Sequence, residues 1–168
     1  MYKINDLIIY GREGVCRVDD ICTLDITGTD KGRLYYILDP LYKQGKIYTP
    51  VDTKIFMRPI ISSEEALQLI DGIPSVETNV CHERLKTLED QYKAELNTHE
   101  CEDLIRLIKT VGVKKDESTS KGKKLGKTDE NYMKMAEETL YGEFAQALKI
   151  PRENVKVYIE ERIKTFEH

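Results

Sequence analysis

Leu7–Val18 reads LIIYGREGVCRV, and how this stretch is read decides the fold of the first third of the chain. Two short runs rich in β-branched and aromatic residues flank Gly11-Arg12-Glu13-Gly14, whose glycines reach backbone angles closed to other residues. The pattern predicts a β-hairpin. Working outward, VCRVDDICTLDI (15–26) makes the second strand long enough to bend at Asp19-Asp20. RLYYIL (33–38), KIYTPV (46–51) and FMRPI (56–60) follow as three more short strands. They are joined by the turn-like segments TGTDKG (27–32), DPLYKQG (39–45) and DTK (52–54). Five short strands within about sixty residues predict a small, bent sheet or SH3-like barrel. Pro50 and Pro59 cannot donate to a ladder, which puts their strands at an edge or a terminus. Alternation sends Tyr35 and Tyr36 to opposite faces, so at least one of the two rings is expected to face outward.

At Ser62 the periodicity changes. SSEEALQLIDGIP carries a capping box, Ser62 with Glu65, then an apolar stripe of Ala66, Leu67 and Ile70, and Gly72 and Pro74 as a stop. Leu85, Leu88, Tyr92 and Leu96 recur at helical spacing over 80–97. Leu104, Ile105, Leu107, Ile108 and Val111 do so in a helix that Gly112 is expected to close. After a lysine-rich loop, Thr128 is expected to cap a helix carrying Tyr132, Met133, Ala136, Leu140, Phe144, Ala147 and Leu148 on one side. Pro151 opens a last helix through Val155, Ile159 and Ile163. The expected fold class is α+β, a five-stranded barrel over 1–61 followed by a compact all-helical domain over 62–168.

With 168 residues, 40% of them hydrophobic, the chain can bury cores for one ordinary domain or two small ones. Its apolar runs are too short for a membrane span, and MYKINDLIIYG lacks a signal-peptide h-region, so a cytoplasmic protein is expected. Cys16, Cys22, Cys81 and Cys101 include no C-x-x-C pair and suggest no disulfide framework. Cys81-His82 and His99 with Cys101 offer four possible zinc ligands. A single intervening helix would hold the two pairs roughly 25 Å apart, so no metal is expected. None of the three histidines stands beside a plausible nucleophile, and no enzyme, cofactor or small-molecule substrate is expected. GKKLGKT (122–128) imitates a P-loop, but its glycine is one residue too close and no buried strand precedes it. The net charge of −4 excludes a general nucleic-acid binder. KKDESTSKGKKLGK (114–127) nevertheless holds six lysines against two acids, a local run that serves either as solvated surface or as a phosphate-contacting patch.

The opening YKINDLIIYGREGVCRVDDI, with LYYIL, KIYTPVD and RPI, and then ISSEEALQLIDGIP, YKAEL and EETLYGEFAQALKIP, resembles the CarD family of bacterial transcription regulators. The later segments look like the clostridial or other Gram-positive branch of CarD-like proteins. The N-terminal part also resembles the RNA-polymerase-interacting domain of the transcription-repair coupling factor. The resemblance implies a Tudor-like barrel that docks on the RNA polymerase β subunit through Lys46, Ile47, Tyr48, Thr49 and Pro50. Tyr48 stands where some members carry arginine, which points to packing rather than an ion pair. Asn5-Asp6 replaces the usual Gly-Asp turn, a change asparagine tolerates. The resemblance further implies that the helical domain touches promoter DNA near the upstream edge of the bubble. The tryptophan that relatives wedge into the minor groove is absent, so Val80, Leu85 or Leu88 would have to replace it. Lys93 matches a basic position of the family, and Arg84, Lys86, Lys121, Lys123, Lys124 and Lys127 are further phosphate-contact candidates. Two other readings compete: a polymerase adaptor without DNA contact, and an SH3-like RNA- or ribosome-associated module. Nine basic and eight acidic residues over 1–60 are too balanced for autonomous RNA binding.

Overall fold

The computed structural model describes residues 1–24, 32–78 and 88–167, and the chain divides into two units, Met1–Ile61 and Ser62–His168. The first unit is a five-stranded antiparallel sheet of β1 (Leu7–Tyr10), β2 (Val15–Thr23), β3 (Leu34–Pro40), β4 (Ile47–Pro50) and β5 (Met57–Pro59), in the order β4-β3-β2-β1-β5. The strands that carry Pro50 and Pro59 are its edges, while Pro40 closes the interior strand β3. The β1–β2 hairpin pairs Ile9 with Val15 and turns through Gly11–Gly14. At Gly11, φ is +47° and a Cβ would lie 3.0 Å from Ile55 Cγ2, so only glycine fits both the angle and the approach. The β2–β3 register slips between Val18 and Asp20, a bulge where the sequence calls for a bend.

The sheet curls strongly. The Tyr10 hydroxyl donates to Thr49 Oγ1 at 3.0 Å, although β2 and β3 lie between their strands. Residues three strands apart in a flat sheet would be separated by roughly 14 Å. Inside the curl Ile8, Tyr10, Cys16, Val18, Tyr36 and Leu38 form the core, with Tyr2, Ile21, Ile47, Val51 and Met57 packed against it. At the entry to β1, Asn5 takes φ +75° in a turn closed by the Asp6 amide on the Lys3 carbonyl, and its own amide donates to the Val18 carbonyl. The tolerance expected of asparagine is used here.

One expectation for the sheet is corrected. Tyr35 and Tyr36 are both buried, at 8% and 2% exposure. Tyr36 lies in the core, where its hydroxyl accepts from the Tyr2 amide at 3.0 Å and its ring meets that of Tyr2. Tyr35 is on the opposite face, which also buries Ile9 and Val15. Alternation separates the two rings as expected, but the sheet has no face that is solvated throughout.

The second unit contains α1 (Ser63–Gly72), a 3₁₀ turn (Ile73–Ser75), α2 (Leu88–Asn97), α3 (Cys101–Ser120), α4 (Lys127–Leu148) and α5 (Arg152–Glu167). The capping box forms as read: the Glu65 amide donates to Ser62 Oγ, and Ser62 Oγ donates to the Glu65 carboxylate. Ala66 and Ile70 of α1, Leu107 and Val111 of α3, Ala136, Leu140 and Phe144 of α4, and Val155 of α5 build the core. Arg162 grips Asp71 with two hydrogen bonds, at 2.7 and 3.0 Å, tying α5 to α1. Lys109 Nζ donates to the main-chain carbonyls of Ile73, Pro74 and Val76 at 2.8, 3.3 and 2.6 Å.

Two helix boundaries differ from the sequence reading. Gly112 lies inside α3, and the glycine that stops the helix is Gly122, at φ +69°. There the Gly122 amide donates to the Thr119 carbonyl and the Lys123 amide to the Ser118 carbonyl, the paired bonds of a Schellman motif. The lysine-rich loop therefore shrinks to 121–126, because Lys114–Ser120 is helical. The N-cap of α4 is Gly126, with no side-chain cap, rather than Thr128. Among the described residues no helix is long and apolar enough to cross a membrane.

Candidate functional site

β4 carries the residues Ile47, Tyr48, Thr49 and Pro50, with Lys46 just before it. It pairs only with β3, through Leu38–Ile47, Ile37–Tyr48, Tyr36–Thr49 and Tyr35–Pro50. Its other side is an open edge among the described residues. The side chains divide sharply. Thr49 is buried and held by Tyr10, and Ile47 packs on the core, whereas Tyr48 is 52% exposed. The edge thus joins a strand backbone paired on one side to one large outward ring, elements of strand addition, while at Pro50 there is no amide hydrogen and the carbonyl already accepts from the Thr53 amide at 3.0 Å.

Lys46 belongs to a cycle of four charges. Arg17 Nε meets Asp19 at 2.9 Å and Arg17 Nη2 meets Asp39 at 2.9 Å; Lys46 Nζ hydrogen-bonds Asp19 and lies 3.6 Å from Asp39. Each cation touches both carboxylates. The Lys46 hydrogen bond, followed by that of Arg17, holds the Asp19 carboxyl below its ordinary range, and Asp19 in turn raises both cations. Beyond the other end of β4, Arg33 donates to Asp52 Oδ1 at 3.0 and 3.3 Å.

In the second unit Lys121, Lys123, Lys124 and Lys127 are all exposed, in and just after the α3–α4 connection. A buried tie anchors that connection: Asp129, in the first turn of α4, accepts from the Tyr92 hydroxyl at 2.8 Å and pairs with Lys114 Nζ at 2.8 Å. Lys114 is thereby withdrawn from the lysine run. Lys93 is exposed but leans on Glu89 at 3.8 Å, one turn earlier. Lys121, Lys123 and Lys124 lie in the connection and Lys127 opens α4. Arg84 and Lys86 lie outside the described residues, as do Val80 and Leu85 and the side chain of Leu88.

Sequence reasoning missed the buried polar groups. Glu95, Glu143, Gln91 and Asp129 are all at least nine-tenths buried in the helical unit. Cys101 Sγ donates to Glu143 Oε1 at 3.3 Å. Burial lifts the Glu95 carboxyl to about 7, with Asp103 adding to the rise and Arg106 opposing it. Three of the four are acids on helices already rich in exposed acids and the fourth is an amide, so no local signal distinguishes them. Burial also pushes the Cys16 thiol up to about 12, which suits a core residue rather than a nucleophile. Among the described residues no cluster of histidines, cysteines and acids is arranged to hold a metal ion. Cys81 and His82, half of the zinc candidate weighed from the sequence, lie outside them.

The first unit is thus a curled sheet with an open edge at β4 and the exposed Tyr48 ring upon it. Residues 2–61 match the family of the CarD-like/TRCF RID domain, the RNA-polymerase-interacting domain, and the match ends where the first unit ends. The N-terminal unit is a domain of this family. No curated protein matches the chain.

Proposed function

We propose that the protein is a non-enzymatic, cytoplasmic regulator of bacterial transcription. It binds the RNA polymerase β subunit through the β4 edge of its first unit and contacts promoter DNA through its helical unit, changing the stability of the open complex. The observation that carries this reading is the family match over residues 2–61, supported by the exposed edge bearing Tyr48. DNA contact is assigned to Lys121, Lys123, Lys124 and Lys127, with Arg84, Lys86 and Lys93 as further contributors. The four loop lysines are exposed in an otherwise acidic chain, so their contact is confined to phosphates and too weak to act alone. Tethering by the first unit raises the effective concentration of the second at the promoter.

The test is capture of purified core polymerase by the full chain, followed by open-complex lifetimes with and without it. Binding with altered lifetimes supports the whole reading. Binding with unchanged lifetimes reduces the protein to an adaptor without DNA contact, and absence of binding removes the polymerase assignment.

A further inference from the structure

We propose that α2 is latched to the rest of the helical unit by a proton on Glu95, and that losing this proton loosens α2 from α3 and α4 while the other helices stay folded. Gln91, Tyr92 and Glu95 lie buried on one face of α2, at 2%, 1% and 7% exposure, so the helix seals a carboxyl against the neighbours it packs on, α3 and α4. On α3, Arg106 is already bound within its own helix: Nη1 meets Asp103 at 2.6 Å and Nη2 lies 3.6 Å from Glu102. On α4, Asp129 accepts from Tyr92 and holds Lys114, Tyr132 donates to Glu89 of α2, and Glu143 accepts from Cys101 at the start of α3. Lys93, on α2 itself, leans on Glu89. Arg106, Lys114 and Lys93 are thus each paired with a carboxylate other than Glu95.

A charge formed at Glu95 in place would lose its water, whereas undocking α2 returns it to solvent. Burial is the largest cause that lifts the docked carboxyl to about 7; the Gln91 amide and Arg106 oppose the rise, and Asp103 adds to it. Once exposed, the group titrates near 4.5, so the docked helix binds the proton more tightly. Docking is therefore fullest below the exposed value, weakens as pH climbs from there to about 7, and changes little above. α2 has ten residues, too few to stay helical without packing, and its release also withdraws the Tyr92 hydroxyl from Asp129.

The experiment is hydrogen exchange of the full chain, read by mass spectrometry on peptides from α2 and α5 over a pH series and corrected for the intrinsic pH dependence of exchange. The α2 amides are expected to be less protected than those of α5 throughout, and their protection should fall about tenfold or more between roughly pH 5 and pH 8. Glu95→Gln and Glu95→Met each remove the ionisable group, and in either variant the fall should vanish. Wild-type protection of α2 that does not vary with pH overturns the latch, as does a fall that survives in a variant. Equal protection of α2 and α5 at every pH overturns it too, because α2 then opens only when the whole unit unfolds.

Discussion

The Tyr92 hydroxyl donates to Asp129 Oδ1 at 2.8 Å, a buried contact that fastens α2 to the first turn of α4. Asp129 Oδ2 receives Lys114 from α3, so one carboxylate joins three helices. Burial, followed by the bond to Asp129, raises the Tyr92 hydroxyl well above its usual range and keeps it a donor at any physiological pH.

Tyr92→Phe removes that donor while leaving Asp129 its lysine. A hydrogen bond to a charged acceptor is worth about 2 kcal/mol, so the helical unit should lose stability on that scale. Urea denaturation followed by helical circular dichroism measures it. A loss below a few tenths would mean that solvent already replaces the contact.

The two glycines of α3 should respond in opposite directions. Gly112 sits in the helix interior, where an added methyl group would have no neighbour within 4 Å, and Gly112→Ala should stabilise by up to about 1 kcal/mol. Gly122 is at φ +69°, and Gly122→Ala should cost about 1 kcal/mol by straining the Schellman cap. The same denaturation measurement separates the pair, and equal signs would contradict the boundary at Gly122.

Glu95 predicts a pH dependence. Its carboxyl lies near 7 when folded and near 4.5 otherwise, so the folded state holds the proton more tightly. The resulting stability is complete below the unfolded value, declines as pH rises through about 7, and is flat above. Glu95→Gln keeps the neutral shape and should remove the slope, gaining about 2 kcal/mol relative to wild type between pH 5 and pH 8. Parallel slopes for the two proteins would locate the dependence elsewhere.

Tyr48→Asp places a charge on the outward side of the proposed docking edge. Affinity for polymerase should fall by about 2 kcal/mol, with the fold retained because the side chain is exposed. Tyr48→Phe should bind nearly as wild type. Undiminished binding by the aspartate variant would move the interface off β4.

The four loop lysines are tested together by Lys121→Gln, Lys123→Gln, Lys124→Gln and Lys127→Gln. Three or four phosphate contacts give a log-log salt slope of about −3 to −4 for the DNA contribution. The quadruple variant should flatten it and shorten the effect on open complexes, with polymerase binding unchanged. Full activity in the variant would make the run a solvated surface.

Much of the first unit was legible because its signals are local. Proline in β4 and β5 marks edges, Asn5 takes the angle that its side chain tolerates, and Asp19-Asp20 bends the long strand. The end of α3 was not. Gly112 and Gly122 are the same residue, and the polar stretch between them continues as helix where Lys114 reaches Asp129, fifteen positions onward. The ion cycle was equally hidden, since Arg17, Asp19, Asp39 and Lys46 meet only through the register of three strands. Both tyrosines of β3 are covered for a related reason: period-two patterning assigns faces, while curling and coverage decide which face stays wet.

Lys109 is in effect a monovalent cation on a leash. Its ammonium has three hydrogens to give, and the carbonyls of Ile73, Pro74 and Val76 are three acceptors that receive them. A free potassium ion in such a nest would come and go with the composition of the medium. Delivered by a side chain from α3, the charge arrives whenever the helix forms and needs no ion from the medium. The same arrangement takes one of the chain's 26 basic residues out of circulation. A partner approaching the helical unit finds one ammonium whose hydrogens are already committed, although its charge remains.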